Sequence, residues 1–387
     1  MTLQRSWLAA ALLLSACSTM SSAPISVSSR HFGTSQGGRP ATVWTLRNGS
    51  AEVDVTDYGA AIVAVRVPDR AGFVGDVALG FDDVSGYESD RNQYFGCTTG
   101  RVCNRIANGT FTLDSYDYVL ATNNGDHHLH GGEQNSFDKV FWHAEPLPDR
   151  NAEAGVRFTY LSRDGEEGYP GNLHATVTYT LLAAGRLQID YEARCDKRTL
   201  VNLTNHTYWN LAGEGSDSVL DHTLQVDAAR YTPTDESLIP TGQLAPVVGT
   251  PFDLREGQQL EIVVGQLTAT AAGGLDHNLV LDAAEARAPN DSSSRGGEGL
   301  RQVAVLRHQP TGRSMTIETT EPGLQVYSGN FLRGDAGKGG KPYPQHSAVC
   351  LETQHFPDAI HQPRFPSIVL EPGERFASTT RMTFEAH

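Results

Sequence analysis

Val201-Asn202-Leu203-Thr204-Asn205-His206-Thr207-Tyr208-Trp209-Asn210-Leu211 alternates at a period of two, the spacing of a β-strand. One face carries Asn202, Thr204, His206, Tyr208 and Asn210. The other carries Leu203, Asn205, Thr207, Trp209 and Leu211, mostly packing material. A strand facing solvent usually shows Lys, Glu or Arg on its polar side, and this one shows none. The stretch therefore reads as the wall of a polar cleft with a histidine at its centre. Imidazole has the unperturbed pKa nearest neutrality, so it gives or takes a proton readily. A core histidine satisfied by neighbouring amides is the competing reading, because buried polar networks and clefts look alike in sequence.

The same period recurs outward from this stretch. Ala51 to Val67 alternates around Tyr58-Gly59-Ala60, and Val156–Leu161, Leu173–Leu181 and Leu187–Ala193 read as strands. Ser314–Thr320, Leu324–Tyr327 and Val349–Gln354 continue the theme, and Ser378–Phe384 reads as a closing strand. Turn residues crowd Asp164-Gly165-Glu166-Glu167-Gly168-Tyr169-Pro170-Gly171. Ala283 to Gly299 is low in complexity and reads as an exposed loop. Long amphipathic helical patterns are hard to find. The pattern predicts an all-β protein, one large antiparallel β-sandwich over residues 39–387.

The chain has 387 residues and a formal net charge of -15. Nucleic acid is excluded as a partner, since phosphate binding needs clustered Lys and Arg. Met1 to Cys17 reads as a targeting segment: Arg5 supplies the charge, Trp7–Leu14 a short apolar run, and Leu14-Ser15-Ala16-Cys17 a lipoprotein-type cleavage site. Residues 18–38 read as a tether. The chain is then exported and periplasmic, with the body held at the outer membrane through a lipid on Cys17. Cys97, Cys103, Cys195 and Cys350 match no zinc spacing and are not read as catalytic.

Several short stretches carry chemistry. Arg101 and Arg105 flank Asn104 near glycines, and Arg is a forked donor for paired oxygens. His127, His128 and His130 fall within four residues, yet no carboxylate or Cys follows at ligand spacing, so no metal is assigned. His130 precedes Gly131-Gly132, which would let the backbone approach a ligand. Asp276 stands in what reads as a polar turn. Gln325 and Tyr327 share a strand face, and a Gln there offers donor and acceptor to a hydroxyl. Glu352 is a lone carboxylate in the apolar run Val349–Gln354. Such a group is costly unless paired or functional, and burial makes it a better base near neutrality.

In order along the chain, several of these stretches resemble the aldose 1-epimerases, also called galactose mutarotases. They are Gly100-Arg101-Val102 with Asn104-Arg105-Ile106-Ala107, Leu129-His130-Gly131-Gly132, Asp164–Gly171, Asn205-His206 with Tyr208 and Asn210-Leu211, Ile239-Pro240-Thr241-Gly242, Thr250–Arg255, Asp276-His277-Asn278, and Leu351-Glu352-Thr353-Gln354 with Pro357-Asp358. The resemblance implies a β-sandwich with an open sugar-binding cleft and a small-molecule aldose as substrate. It implies Glu352 as base, His206 as acid, and Asn104, Arg105, His130, Tyr208, Asp276 and Gln325 as sugar contacts. No cofactor is needed, since neither redox chemistry nor group transfer occurs. The chemistry calls for an ionised Glu352 beside a charged His206, hence a pH optimum between roughly 4.3 and 6.5.

Three rivals use the same residues. A glycoside hydrolase would pair Glu352 with Asp276 across a scissile bond, at a carboxyl separation of roughly 5 to 9.5 Å. A non-catalytic sugar-binding lipoprotein would need neither Glu352 nor His206. An epimerase of sugar phosphates or oligosaccharides would want a further basic group beside Arg105, with Arg101 the candidate.

Overall fold

The computed structural model describes residues 25–148, 153–281 and 299–387. The long alternating runs build a nine-stranded antiparallel sheet. Its order is His143–Pro146, Ala154–Ser162, Leu173–Leu182, Arg186–Cys195, Phe376–Ala386, Arg313–Thr319, Arg301–Arg307, Thr223–Val226, Gln258–Gln259. Its inward residues, among them Val156, Phe158, Val177, Tyr179, Leu187 and Ile189, are fully buried. The strand that reads as closing, Phe376–Ala386, lies in the middle, between Arg186–Cys195 and Arg313–Thr319.

A second sheet packs on this one, in the order Tyr208–Trp209, Val349–Gln354, Gly323–Tyr327, Asp276–Val280, Arg230–Tyr231, Ala245–Pro246. Its three central strands are buried at every residue, so burial alone does not show which face is which. The packing partners do. Val349, Leu351, Leu324, Val326 and Leu279 share one core cluster with Leu187, Ile189 and Met382 of the nine-stranded sheet. With a period of two, Glu352, Gln325 and Asp276 then point away from that core, on a common face. The expectation of a β-sandwich is met.

Two corrections concern local structure. Residues 201–211 are not one strand. Thr204–Asn205 pairs with Thr98–Thr99, Tyr208–Trp209 pairs with Val349–Gln354, and Asn202 bridges Val102. Val201, Leu203, Trp209 and Leu211 do enter the main core. Asn202 and Asn210 do not wall a cleft. Asn202 donates to His355 O and accepts its N–H, and Asn210 donates to Ser347 O. These amides serve as mortar where the regular ladder is interrupted. Asp276 opens a strand, Asp276–Val280, where a polar turn was expected.

A five-stranded sheet caps the sandwich: Ser26–Thr34, Pro40–Asn48, Ala51–Thr56, Ala61–Pro68, Val74–Asp76. Ser26–Thr34 pairs with Pro40–Asn48, so the folded body begins before residue 39 and the expected tether is shorter than 18–38. The targeting segment, residues 1–17, lies outside the described residues, as does nearly all of the 283–299 loop. Among the described residues no helix is long and apolar enough to cross a membrane. Cys97, Cys103, Cys195 and Cys350 are free thiols.

Trp209 is buried in the main core with its ring 5.6 Å from Phe384. Trp209→Ala should cost about 3–5 kcal/mol, lowering the urea midpoint with the m-value unchanged.

Candidate active site

The common face of the second sheet forms the floor of a cavity of about 380 Å³. Glu352, His206, Tyr208, Asp276, Asn104, Arg105 and His130 all line it. Gln325 is not among the lining residues. It sits opposite Glu352 in the strand register and donates from Nε2 to Asp276 Oδ1 at 2.6 Å. Asp276 also faces Arg105 Nη2 at 3.6 Å, and Arg105 Nε donates to Asn124 Oδ1.

At the centre His206 Nε2 lies 3.7 Å from Glu352 Oε1. The two residues are only 4% and 2% exposed. His206 is held from both sides of its backbone: its N–H donates to Cys97 O, and its carbonyl accepts from Gly96 N–H. Its ring is enclosed by Tyr94, His130 and Tyr208, with centroids 5.7, 5.1 and 5.2 Å away. Glu352 Oε2, His206 Nδ1 and Gln325 Oε1 are buried with no hydrogen-bond partner. Buried polar atoms are almost always paired, so the orphans on Glu352 and His206, both in the cavity wall, mark where a ligand's polar groups belong.

Burial pushes the Glu352 carboxyl well above its ordinary value, and the Asp276 charge adds to the rise while Arg105 opposes it. Burial pushes His206 down to about 4, against a smaller upward pull from its own backbone and from Asp276. Both shifts favour the uncharged forms. Burial therefore works against the pair of opposite charges that the chemistry calls for. Desolvation outweighs mutual attraction here.

Loops supply the remaining walls. Tyr94, Asn104 and His130 all have left-handed backbones, with φ of 64°, 60° and 51°. Asn104 N–H donates to His130 Nδ1 at 3.1 Å. Gly131 and Gly132 do not admit a ligand, as the sequence suggested. A Cβ on Gly131 would meet the Gly100 carbonyl, and one on Gly132 the Glu167 carboxylate. Glu167, in the turn-rich loop, accepts from the N–H groups of Glu133, Gln134 and Asn135 and so anchors the chain beyond His130.

The three clustered histidines diverge. His127 accepts from Asn108 N–H, His128 bonds Tyr169 and Ala121 O, and only His130 lines the cavity. His130, His206 and Glu352 do place ligand atoms within 4.8 Å of one another. However, the His130 Nδ1 lone pair is taken by Asn104 N–H, and its Nε2 must then carry the proton. That triad does not suit a metal. Asp221, His222 and His308 fail likewise, because His222 Nε2 accepts from Leu211 N–H while Nδ1 faces Asp221.

Arg101 is no phosphate ligand. It is buried away from the cavity, donating to Ser162 Oγ and to the carbonyls of Ser162, Arg163 and Pro170. Sequence reasoning missed Tyr94, Lys139 and Phe331, which line the cavity. Tyr94 and Phe331 fall in runs that read as core or loop, and no sequence pattern shows a left-handed backbone at Tyr94.

An antiparallel sandwich whose cavity holds a buried carboxyl–imidazole pair and a ring of hydrogen-bonding side chains defines an enzyme that moves protons on a small polar substrate. The family model for aldose 1-epimerase matches residues 42–383. The chain is 45% identical to a galactose mutarotase of Bos taurus, covering 88% of this chain and 92% of that protein. It is 36% identical to an aldose 1-epimerase of Escherichia coli (strain K12), over 90% of this chain and 96% of that one. A solved galactose 1-epimerase from Lactobacillus acidophilus superposes with a TM-score of 0.77 at 26% identity, covering 94% of this chain and all of that one. The chain belongs to the aldose 1-epimerase family. It is an isomerase that interconverts the α and β anomers of aldoses.

The Glu352 shift carries a stability consequence. In the unfolded chain the carboxyl ionises near its ordinary 4.5, whereas burial raises that value in the folded chain. Its contribution is therefore whole below that value and is lost as pH rises. Glu352→Gln should melt above the natural protein, and the gap should be wider at about pH 8 than at about pH 4. A gap independent of pH contradicts the shift.

Proposed function

We propose that Glu352 and His206 open and reclose the aldose ring by passing one proton between them through the sugar. The carrying observation is the 3.7 Å carboxyl–imidazole pair ringed by unpartnered buried atoms. With the pair's one proton on His206 and Glu352 ionised, the C1 hydroxyl proton leaves to Glu352 as His206 gives its proton to the ring oxygen O5. The C1–O5 bond breaks and an aldehyde forms. Rotation about C1–C2 presents the other carbonyl face, and the same groups run the step backwards. After ring opening Glu352 is protonated and His206 neutral, the forms toward which burial shifts both groups. Arg105, beside Asp276, and His130 are placed to donate to sugar oxygens as charge develops. The cavity is the sugar-binding cleft on this reading. Galactose, which the relatives' names carry, and glucose, which differs from it only at C4, are the sugars to test.

One proton shared by the pair widens the pH window. Activity fails when the pair takes a second proton, which places the acid limb near His206's value of about 4. The alkaline limb belongs to the raised Glu352, not to a histidine of ordinary pKa 6.5.

Polarimetry on fresh α-D-glucose and α-D-galactose tests this directly. The natural protein should speed relaxation, with kcat/KM flat across pH 6.5 and falling toward about 4. Glu352→Gln and His206→Gln should each lose about 10²–10⁴-fold. Retained activity in Glu352→Gln would mean another base.

Export and lipidation on Cys17 are a second part of the proposal, supported by the apolar run ending in Leu14-Ser15-Ala16-Cys17. Cys17→Ala should release the protein from the membrane fraction. Equal membrane association of both forms would sink the anchor.

A further inference from the structure

Two buried histidines meet edge to face at this site, their ring centroids 5.1 Å apart. Composition gives no reason for one of them to move protons and the other not to. The hydrogen bonds do.

We propose that the main chain of Asn104 is a positioning device that fixes His130 as its Nε2–H tautomer, so that His130 serves only as a hydrogen-bond donor and proton transfer is left to His206. The argument rests on the epimerase reading only for the identity of the acceptor, an oxygen of the bound aldose.

A neutral imidazole has one nitrogen with a free lone pair. In His130 that nitrogen is Nδ1, because Asn104 N–H donates to it. Nε2 must then hold the proton. The donor is aimed by an unusual backbone. Asn104 lies at φ 60°, a conformation Asn tolerates better than most residues. Its own Oδ1 accepts from Arg105 N–H at 2.9 Å, which stabilises that turn. His130, at φ 51°, returns a main-chain bond, donating its N–H to Asn104 O at 3.0 Å. The two residues therefore clamp each other. The adjacent ladder, His128 to Ile106 and Leu129 to Arg105, holds the clamp in register.

A second proton on His130 is opposed from several sides. Burial opposes it first, and the standing charges of Arg105 and Lys139 add to that. Tyr94 covers the ring at 4.5 Å, and the carboxyl that faces it is Glu352, with an oxygen within 4.8 Å of a His130 ring nitrogen. His206 differs on each count that matters for transfer. Its Nδ1 is unpartnered and its Nε2 faces Glu352. A proton can move to and from His206; on His130 it is held in place.

The test is spectroscopic first. Long-range ¹H–¹⁵N spectra of ¹⁵N-histidine-labelled protein, with His130 assigned by comparison with His130→Gln, report the tautomer directly. The account expects a single Nε2–H pattern that does not titrate between about pH 5 and 8. An Nδ1–H pattern, or titration in that range, overturns it. Asn104→Gly keeps the left-handed backbone and should keep the pattern, with the loss confined to KM. Asn104→Val disfavours that backbone and should give a mixed pattern together with a fall in kcat; an unchanged pattern overturns the role of Asn104. If Asn104→Val does not fold, the donor role is read from His130→Gln against His130→Phe. Gln keeps an N–H and should hold kcat within about tenfold, while Phe should lose about 10²–10³-fold. Equal losses overturn the donor role. A locked tautomer in a protein inactive on glucose and galactose would defeat the functional reading and leave the clamp standing.

Discussion

Placing a carboxyl and an imidazole side by side in a buried site is the constraint on which this structure depends. An isolated charge in such a place costs several kcal/mol after relaxation, and a partner at 3.7 Å only partly offsets it. Burial shifts both groups toward their uncharged forms, with one proton to share between them. That answer suits a reaction in which the acid of one half is the base of the other. It also demands rigid surroundings. Glu352 lies mid-strand with Gln325 directly opposite, and Gln325 holds Asp276, which in turn faces Arg105. Three strands of one sheet thus set the floor of the site to within the tolerance of strand pairing, which loops alone seldom achieve.

The sandwich accounts for the direction of these groups, and the loops for their chemistry. Val349, Leu351, Leu324 and Val326 are committed to the core between the sheets, so their neighbours along each strand are committed to the cavity. Loop residues then close the walls from a backbone region that most side chains avoid. Tyr94, Asn104 and His130 all adopt it. Such conformations persist only where surrounding bonds fix them, and they gather at functional sites for that reason.

The long strands were legible because their alternation is a direct consequence of having a core on one side. Glu352 was legible because a carboxylate in an apolar strand conflicts with burial unless it has work to do. The 201–211 stretch was only half legible. Its apolar residues behave as read, but its backbone pairs with partners from near residues 98, 102 and 349, and no local pattern shows where those segments arrive. Asn202 and Asn210 were misread for the same reason. Ser26–Thr34 passed for a tether because it is an edge strand in which only Phe32 is buried, so it has no apolar face to betray it. Residue types alone do not carry the protonation of the Glu352–His206 pair, since that follows from the depth of burial.

The most direct measurement is the protonation of Glu352 itself at neutral pH. Infrared difference spectroscopy between the natural protein and Glu352→Gln isolates its carboxyl band without any substrate. The account predicts the carbonyl stretch of a protonated acid, shifting to the carboxylate band only as the pH is raised. A carboxylate band already present at neutral pH, beside a charged His206, would contradict it and restore the ordinary ion pair.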